Sequence, residues 1–253
     1  MNIIVITGAS SGLGKEFAIQ LDKIFTNIDE IWLIARRRDR MEKLAEQLNA
    51  KTRILPIDLT KDFEIRAYEQ LLDEIKPNVK MLINCAGYGV MGAFTDNSLN
   101  EQIGMLDINC VALTKISYMS IPYMKKNARI IQLASSAGFL PQANFAVYAA
   151  SKSYVLSFSM ALNQELRDRN IYVTAVCPGP VNTEFFDIAE KNGKTLAIKK
   201  LTIVEADKVV TAAIFDSLHK KAKSVYSLPI KAFHIMTKIF PQDFILAVMR
   251  YMK

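Results

Sequence analysis

The opening stretch constrains the fold of this chain more than any other. Asn2-Ile3-Ile4-Val5-Ile6 is a short apolar run rich in β-branched residues, the pattern of a strand buried on both faces. Thr7-Gly8-Ala9-Ser10-Ser11-Gly12-Leu13-Gly14 follows at once, and Lys15 to Leu21 reads as a helix. A buried strand that turns through glycines into a helix gathers free backbone N–H groups and the positive helix end at one point, where they can hold a pyrophosphate. Glycines at positions 8, 12 and 14 let the backbone come close to such a group. The spacing is Gly-x-x-x-Gly-x-Gly, not the more widespread Gly-x-Gly-x-x-Gly.

Strand-like runs recur at Glu30 to Ala35, Thr52 to Ile57, Val79 to Asn84, Ala128 to Ala134, Ile171 to Val176 and Lys223 to Leu228. Helical stretches begin near Arg38, Lys61, Ser98, Tyr148 and Glu205, and Pro77 closes the third helix. That alternation predicts an α/β fold with a Rossmann-like, doubly wound parallel sheet. Ligands should then collect at the carboxyl ends of the strands, near the topological switch point. No repeat, low-complexity tract or linker divides the chain. Its 253 residues, 51% hydrophobic, are enough for one large core. A single domain is expected, with residues 1–228 as the dinucleotide-binding and catalytic body and 229–253 as an amphipathic helical extension of it.

No run of about 18 uncharged apolar residues appears, so a spanning helix is not expected. The N-terminus leads straight into the first strand and leaves no room for a signal peptide. Cys85, Cys110 and Cys177 are widely spaced and form no Cys-x-x-Cys pair. They argue for a reduced, cytoplasmic protein without a disulfide framework or a metal site. The formal charge of +7 admits an anionic partner such as nucleic acid, a membrane or a phosphorylated cofactor, and equally a plain solvated surface. Nucleic acid is set aside, because binding would need a basic stripe with a reading element.

Chemistry is signalled by Tyr148 and Lys152 in Val147-Tyr148-Ala149-Ala150-Ser151-Lys152. Four apart on a helix, they share a face, so the ammonium can stand beside the phenol. Tyrosine titrates near about 10 in water, and an adjacent cation would bring it toward the operating range of a proton donor or acceptor. Ser135 lies 13 residues upstream of Tyr148, at the end of a buried strand. By itself a Tyr-x-x-x-Lys spacing also fits a solvated helix face.

Taken in order, Thr7 to Gly14, Asp58-Leu59, Asn84-Cys85-Ala86-Gly87, Asn109, Ser135-Ser136-Ala137-Gly138, Tyr148 to Lys152 and Pro178-Gly179-Pro180-Val181-Asn182-Thr183 resemble the motifs of the short-chain dehydrogenase/reductase family. The resemblance runs from about Met1 to Val210. It implies that Gly8, Ser10, Ser11, Gly12, Leu13 and Gly14 cradle the cofactor, with Asp58 and Leu59 at its adenine end. It further implies that Asn84, Ala86 and Gly87 lie near the adenine and ribose, and that Pro178, Gly179, Val181 and Thr183 lie at the nicotinamide. Ser135 would bond the substrate carbonyl, Tyr148 would transfer the proton, and Lys152 would hold the ribose and lower the tyrosine pKa. Asn109 would hold a relay water, or could simply satisfy backbone groups. Ser136 competes with Ser135, but the Ser-x-Ala-Gly phrase and the spacing to Tyr148 select Ser135. Cys85 stands where the family usually has a second Asn. Asp58 can also be read as an ordinary helix cap.

Cofactor choice rests on Ala35-Arg36-Arg37-Arg38. An acidic residue after the second strand would pair with a free ribose 2′-hydroxyl, whereas Arg36 accommodates a 2′-phosphate, so NADP(H) is expected, with Arg37 or Lys15 as helpers. An Arg run at an exposed helix start is the plainer reading, and a guanidinium can serve both ends. Val90, Met91, Phe94, Phe139, Leu140, Phe145, Phe185 and Phe186 are expected around the nicotinamide, which favours a small lipophilic ketone or alcohol, steroid or acyl in type, over a sugar. Residues 182–200 read as a lid. A homodimer or homotetramer is expected. The apolar positions Phe233, Ile235, Met236, Ile239, Phe240, Phe244, Ile245, Val248, Met249 and Tyr251, broken by Pro241, predict two short amphipathic helices. These would cover the domain, form a subunit contact or, least favoured, touch a membrane surface. A nonenzymatic cofactor-sensing or scaffold protein on the same fold is the alternative to an enzyme.

Overall fold

The computed structural model describes residues 1–185, 189 and 203–251, without the side chains of 249–251. Phe186 and most of the expected lid therefore lie outside the described residues. Seven parallel strands form one sheet in the order β3-β2-β1-β4-β5-β6-β7. They are β1 (Asn2–Thr7), β2 (Glu30–Ala35), β3 (Lys51–Pro56), β4 (Asn78–Asn84), β5 (Arg129–Leu133), β6 (Tyr172–Val176) and β7 (Lys223–Ser224). The helices are α1 (Gly12–Ile24), α2 (Arg38–Ala45), α3 (Asp62–Ile75), α4 (Leu99–Leu106), α5 (Leu113–Ser120), α6 (Ala146–Glu165), α7 (Ala206–Leu218), α8 (Leu228–Ile239) and α9 (Gln242–Tyr251).

Strand β1 shows why the sheet is covered on both faces. Ile4 and Ile6 point into a layer with Phe17 and Leu21 of α1 and Val210 and Ile214 of α7. Ile3 and Val5 point the other way, toward Tyr68 and Leu72 of α3, Ile116 of α5 and Leu162 of α6. Each fully buried side chain of this size contributes about 1.5–3 kcal/mol, against a loss of about 0.5–1 kcal/mol for a glycine's extra chain entropy. The buried strand thus fixes the glycine turn that follows it. Order reverses between β1 and β4, so the switch point opens beside that turn.

Local signals account for most boundaries. Ser98 and Glu101 make a reciprocal capping box at the start of α4. Lys76 closes α3 in the left-handed region just before Pro77. The expected last strand is cut short: β7 has two residues, and Ser227, with φ of 74°, turns the chain into α8. Between α4 and α5 the chain makes a π-helical turn, Asp107–Ala112, which carries Asn109. Among the described residues no helix is long and apolar enough to cross a membrane.

Candidate active site

A cleft of about 880 Å³ runs along the carboxyl ends of the strands. Its floor begins at the glycine turn. Gly8 adopts φ of +68°, and a Cβ there would stand 2.8 Å from the Ala86 backbone. A Cβ on Gly14 would stand 2.3 Å from Gly8 O, so α1 packs against the turn only because position 14 has no side chain. The Thr7 hydroxyl accepts from the amides of Cys85 (3.0 Å) and Ala86 (3.1 Å), tying the turn to the end of β4. Ser11 caps α1 without a side-chain bond, which leaves the helix-start amides facing the cleft.

The end of the cleft that carries Ser135 is buried. Ser135, Tyr148 and Lys152 all line the cleft and are 9%, 7% and 6% exposed. Ser135 Oγ accepts from the Ala137 amide at 3.1 Å. Lys152 Nζ donates to the Leu133 carbonyl at 2.7 Å and lies 5.6 Å from the centre of the Tyr148 ring. Burial pushes the Tyr148 phenol up to about 12, and the hydrogen bond with Ser135 works against that rise. Burial also draws the Lys152 ammonium down to about 8, opposed by the neighbouring Cys85, Cys110 and Cys177 thiols. The phenol therefore lies above its ordinary value, where the sequence led to the expectation of a lowered one. The ammonium is held at a carbonyl and sits over the ring, and the counterweight to burial is Ser135.

Asn109 and Asn84 are placed behind the cleft rather than on its wall. Asn109 Oδ1 accepts from the Tyr88 amide at 3.1 Å, and Nδ2 donates to Tyr88 O and Ser151 Oγ, each at 3.0 Å. Its side chain satisfies backbone and braces α6, the plainer of the two readings above. Asn84 Nδ2 donates to Ser117 Oγ at 3.0 Å, which turns the side chain toward α5. Every other expected site residue lines the cleft: Ser10, Ser11, Gly12, Leu13, Arg36, Asp58, Leu59, Ala86, Gly87, Pro178, Gly179, Val181 and Thr183 join those above.

At the opposite end Asp58 forms a turn rather than capping α3, whose cap is Lys61. Burial would raise its carboxyl, but the Thr60 amide and hydroxyl, with the Arg36 charge, bring it below the usual carboxylate range. The Arg36 side chain enters no hydrogen bond or ion pair among the described residues. Arg37 is committed: it donates to Ser10 Oγ at 3.0 Å, Ser11 Oγ at 2.8 Å and Glu184 Oε2 at 3.1 Å. Arg40 reaches the other Glu184 oxygen at 2.6 Å. The sequence reading missed Glu184, because nothing local marks a carboxylate that meets arginines 147 and 144 residues away.

The expected apolar pocket is only partly assembled. Met91, Phe145 and Phe185 line the cleft, and Phe145 stacks on Tyr148 at 4.2 Å. Val90 and Leu140 are buried at 4% and 2%, Phe94 is 60% exposed, and Phe139 packs on Phe233 and His234. Their place is taken by Pro229, Ile230 and Phe233 from the start of α8, and by Gln142.

The model of the short-chain dehydrogenase family matches residues 2–193. This chain is a short-chain dehydrogenase/reductase. As a member of this family of oxidoreductases it is 28% identical over 233 residues to an uncharacterized oxidoreductase of Staphylococcus epidermidis, covering 90% of this chain and 97% of the relative. It is 33% identical over 180 residues to a very-long-chain 3-oxoacyl-CoA reductase of Mycosarcoma maydis, covering 67% of this chain and 50% of the relative. A short-chain dehydrogenase from Sphingobium yanoikuyae, solved in complex with NADPH, superimposes with a TM-score of 0.79 at 26% identity, covering 96% of this chain and 97% of the other. A family member from Burkholderia phymatum, solved with NAD, has a TM-score of 0.81 at 22% identity, covering 97% and 95%, and this likeness concerns the fold. The family members thus include nicotinamide-cofactor complexes of both kinds.

Proposed function

We propose that this short-chain dehydrogenase is an NADP(H)-dependent carbonyl reductase or alcohol dehydrogenase that interconverts a lipophilic ketone, steroid or acyl in type, and its secondary alcohol. The observation that carries the reading is the convergence of buried Ser135, Tyr148 and Lys152 on one wall of a cleft whose far end carries Arg36. The cleft fits a dinucleotide: glycine turn and helix-start amides lie midway, the cationic end at one side and the buried hydroxyls at the other.

When bound, the nicotinamide supplies or accepts the hydride. Ser135 Oγ, fixed by the Ala137 amide, directs its hydroxyl proton at the substrate carbonyl oxygen. Tyr148, protonated at neutral pH, delivers the proton to that oxygen as charge develops on it. Lys152 spends one of its three donors on Leu133 O and keeps two for the ribose hydroxyls. Phe145, Phe185, Ile230 and Phe233 exclude water from the reacting atoms and favour an apolar substrate. The acyl chain in the name of the Mycosarcoma maydis relative agrees with that preference.

Arg36 supports the choice of NADP(H), since its guanidinium is unspent and no acidic residue stands at the end of β2. Three free cysteines suit a reduced cytoplasmic setting. Exposed Leu99, Ile103 and Tyr118 on α4 and α5 support a homodimer or homotetramer.

The test is a panel of lipophilic ketones with NADPH and NADH followed at the nicotinamide absorbance. NADPH should be oxidised with the higher kcat/KM, and Arg36→Ala should raise KM for NADPH while leaving NADH nearly unchanged. Equal kcat/KM for the two cofactors overturns the cofactor assignment, and no turnover with any ketone or alcohol overturns the enzymatic one.

A further inference from the structure

Helix α8 is partly apolar on two sides, and its own domain uses only one. Ile230 on the inner side is 8% exposed, with Cδ1 where a Cβ on Gly179 would meet it at 2.6 Å, and Phe233 rests on Phe139. On the outer side Leu228, Ile235 and Ile239 are 80%, 57% and 68% exposed. Spacings of seven and four put these three on one stripe. Helix α9 extends it across Pro241: Phe240 stacks on Phe244 at 5.8 Å, and Phe244 and Val248 are exposed too.

The charge around this stripe has one sign. Residues 219–242 contain five lysines and no carboxylate. Lys221 is paired with Asp216, whereas Lys231 and Lys238 are exposed and enter no ion pair among the described residues. Lys231, four residues before Ile235, stands within the stripe. Two copies meeting through this surface would set lysine against lysine with only Asp243 nearby to compensate. A surface carrying fixed negative charge over an apolar interior matches both properties at once.

We propose that the outer face of α8 and α9 is a docking surface for an anionic lipid bilayer. The isoleucines, Leu228 and Phe244 enter the boundary between headgroups and acyl chains, and Lys231 and Lys238 meet the lipid phosphates. Because the inner side of α8 walls the cleft, docking brings the cleft beside the medium in which a lipophilic substrate is concentrated. That consequence rests on the proposed substrate class, and the docking itself does not.

The test is co-sedimentation of the full-length protein with vesicles of phosphatidylcholine alone and of phosphatidylcholine mixed with phosphatidylglycerol, at low and high salt. Binding should require the anionic lipid and weaken with salt. Lys231→Glu with Lys238→Glu should reduce it by tenfold or more, at about fivefold per lysine. Ile235→Asp with Ile239→Asp should abolish it while NADPH titration and thermal melting stay as in the wild type. Should the aspartate variant fail to fold, the lysine variant carries the test alone, since both its positions are exposed. Failure to bind anionic vesicles, or binding that the lysine variant leaves unchanged, overturns the proposal. So does a lipid-free sedimentation result in which the aspartate variant breaks an oligomer, which assigns the face to a second copy. Ketone turnover is read separately, so a protein that docks but reduces no ketone refutes only the substrate reading.

Discussion

At one end of the cleft Ser135, Tyr148 and Lys152 are at most 9% exposed, whereas at the other the side chains of Arg37, Arg40 and Glu184 keep 40–46% of their surface. Both ends gather polar groups, yet different forces set their behaviour. In the buried end desolvation is the largest influence on both Tyr148 and Lys152, and it holds one neutral and makes the other easy to discharge. In the exposed end hydrogen bonds from Arg40 and Arg37 draw the Glu184 carboxyl below its usual range, and water screens what remains. One cleft therefore joins a few strong, preorganised groups to a softer, salt-sensitive ionic rim. Substitutions at the two ends should differ in size and in the variable that reveals them.

The largest effect is expected at the phenol. Tyr148→Phe keeps the ring stacked on Phe145 and removes only the hydroxyl group, so turnover should fall by about 10²–10⁴-fold with melting temperature and cofactor affinity retained. Single-turnover kinetics with an accepted ketone would check it. A variant that keeps wild-type kcat breaks the view that the buried end supplies the acid.

Lys152→Met sharpens the comparison through stability. The folded lysine titrates near 8 instead of its ordinary 10.5, so between those values the unfolded chain holds a proton that the folded one does not. Stability contributed at this site must then rise with pH from about 8 to about 10.5 and be smallest below 8. Methionine removes the buried charge, and the variant should be more stable near neutral pH by on the order of 3 kcal/mol, with the gap closing as pH rises. Thermal melts across that range are the measurement. A gap that does not change with pH would mean that burial does not control this lysine. The same substitution should abolish turnover, a case of stability given up for function.

The smallest effect is expected at the rim. Glu184→Gln should change stability by less than about 1 kcal/mol, and the difference should vanish near 1 M salt, where the screening length is about 3 Å. Melting in low and high salt decides it. A large, salt-independent loss would show that the rim is as tightly built as the buried end.

Much of this was legible in the sequence because the signals are local. A β-branched run, three glycines and a helix placed the glycine turn, and the start of α4 was expected near Ser98. The Tyr148–Lys152 spacing needed only that the segment be helical. Signals that depend on distant partners were misjudged or unseen. The contact between Glu184 and Arg37 spans 147 residues. Asn84 and Asn109 turn away from the cleft because Ser117 and the Tyr88 backbone offer them bonds. The widened turn at Asp107–Ala112 leaves no mark in composition.

Sequence by itself determined the alternation of strands and helices, the family, and the kinds of chemical group available. Each follows from periodicity, glycine placement and residue type within short windows. The sense of the pKa shifts, the replacement of Phe94, Phe139 and Leu140 by Ile230 and Phe233 in the cleft wall, and the outward stripe of α8 were decided only by tertiary structure. Their physical reason is common to all three: burial and proximity belong to a folded arrangement, and a side chain's charge state and contacts follow from whatever distant elements surround it.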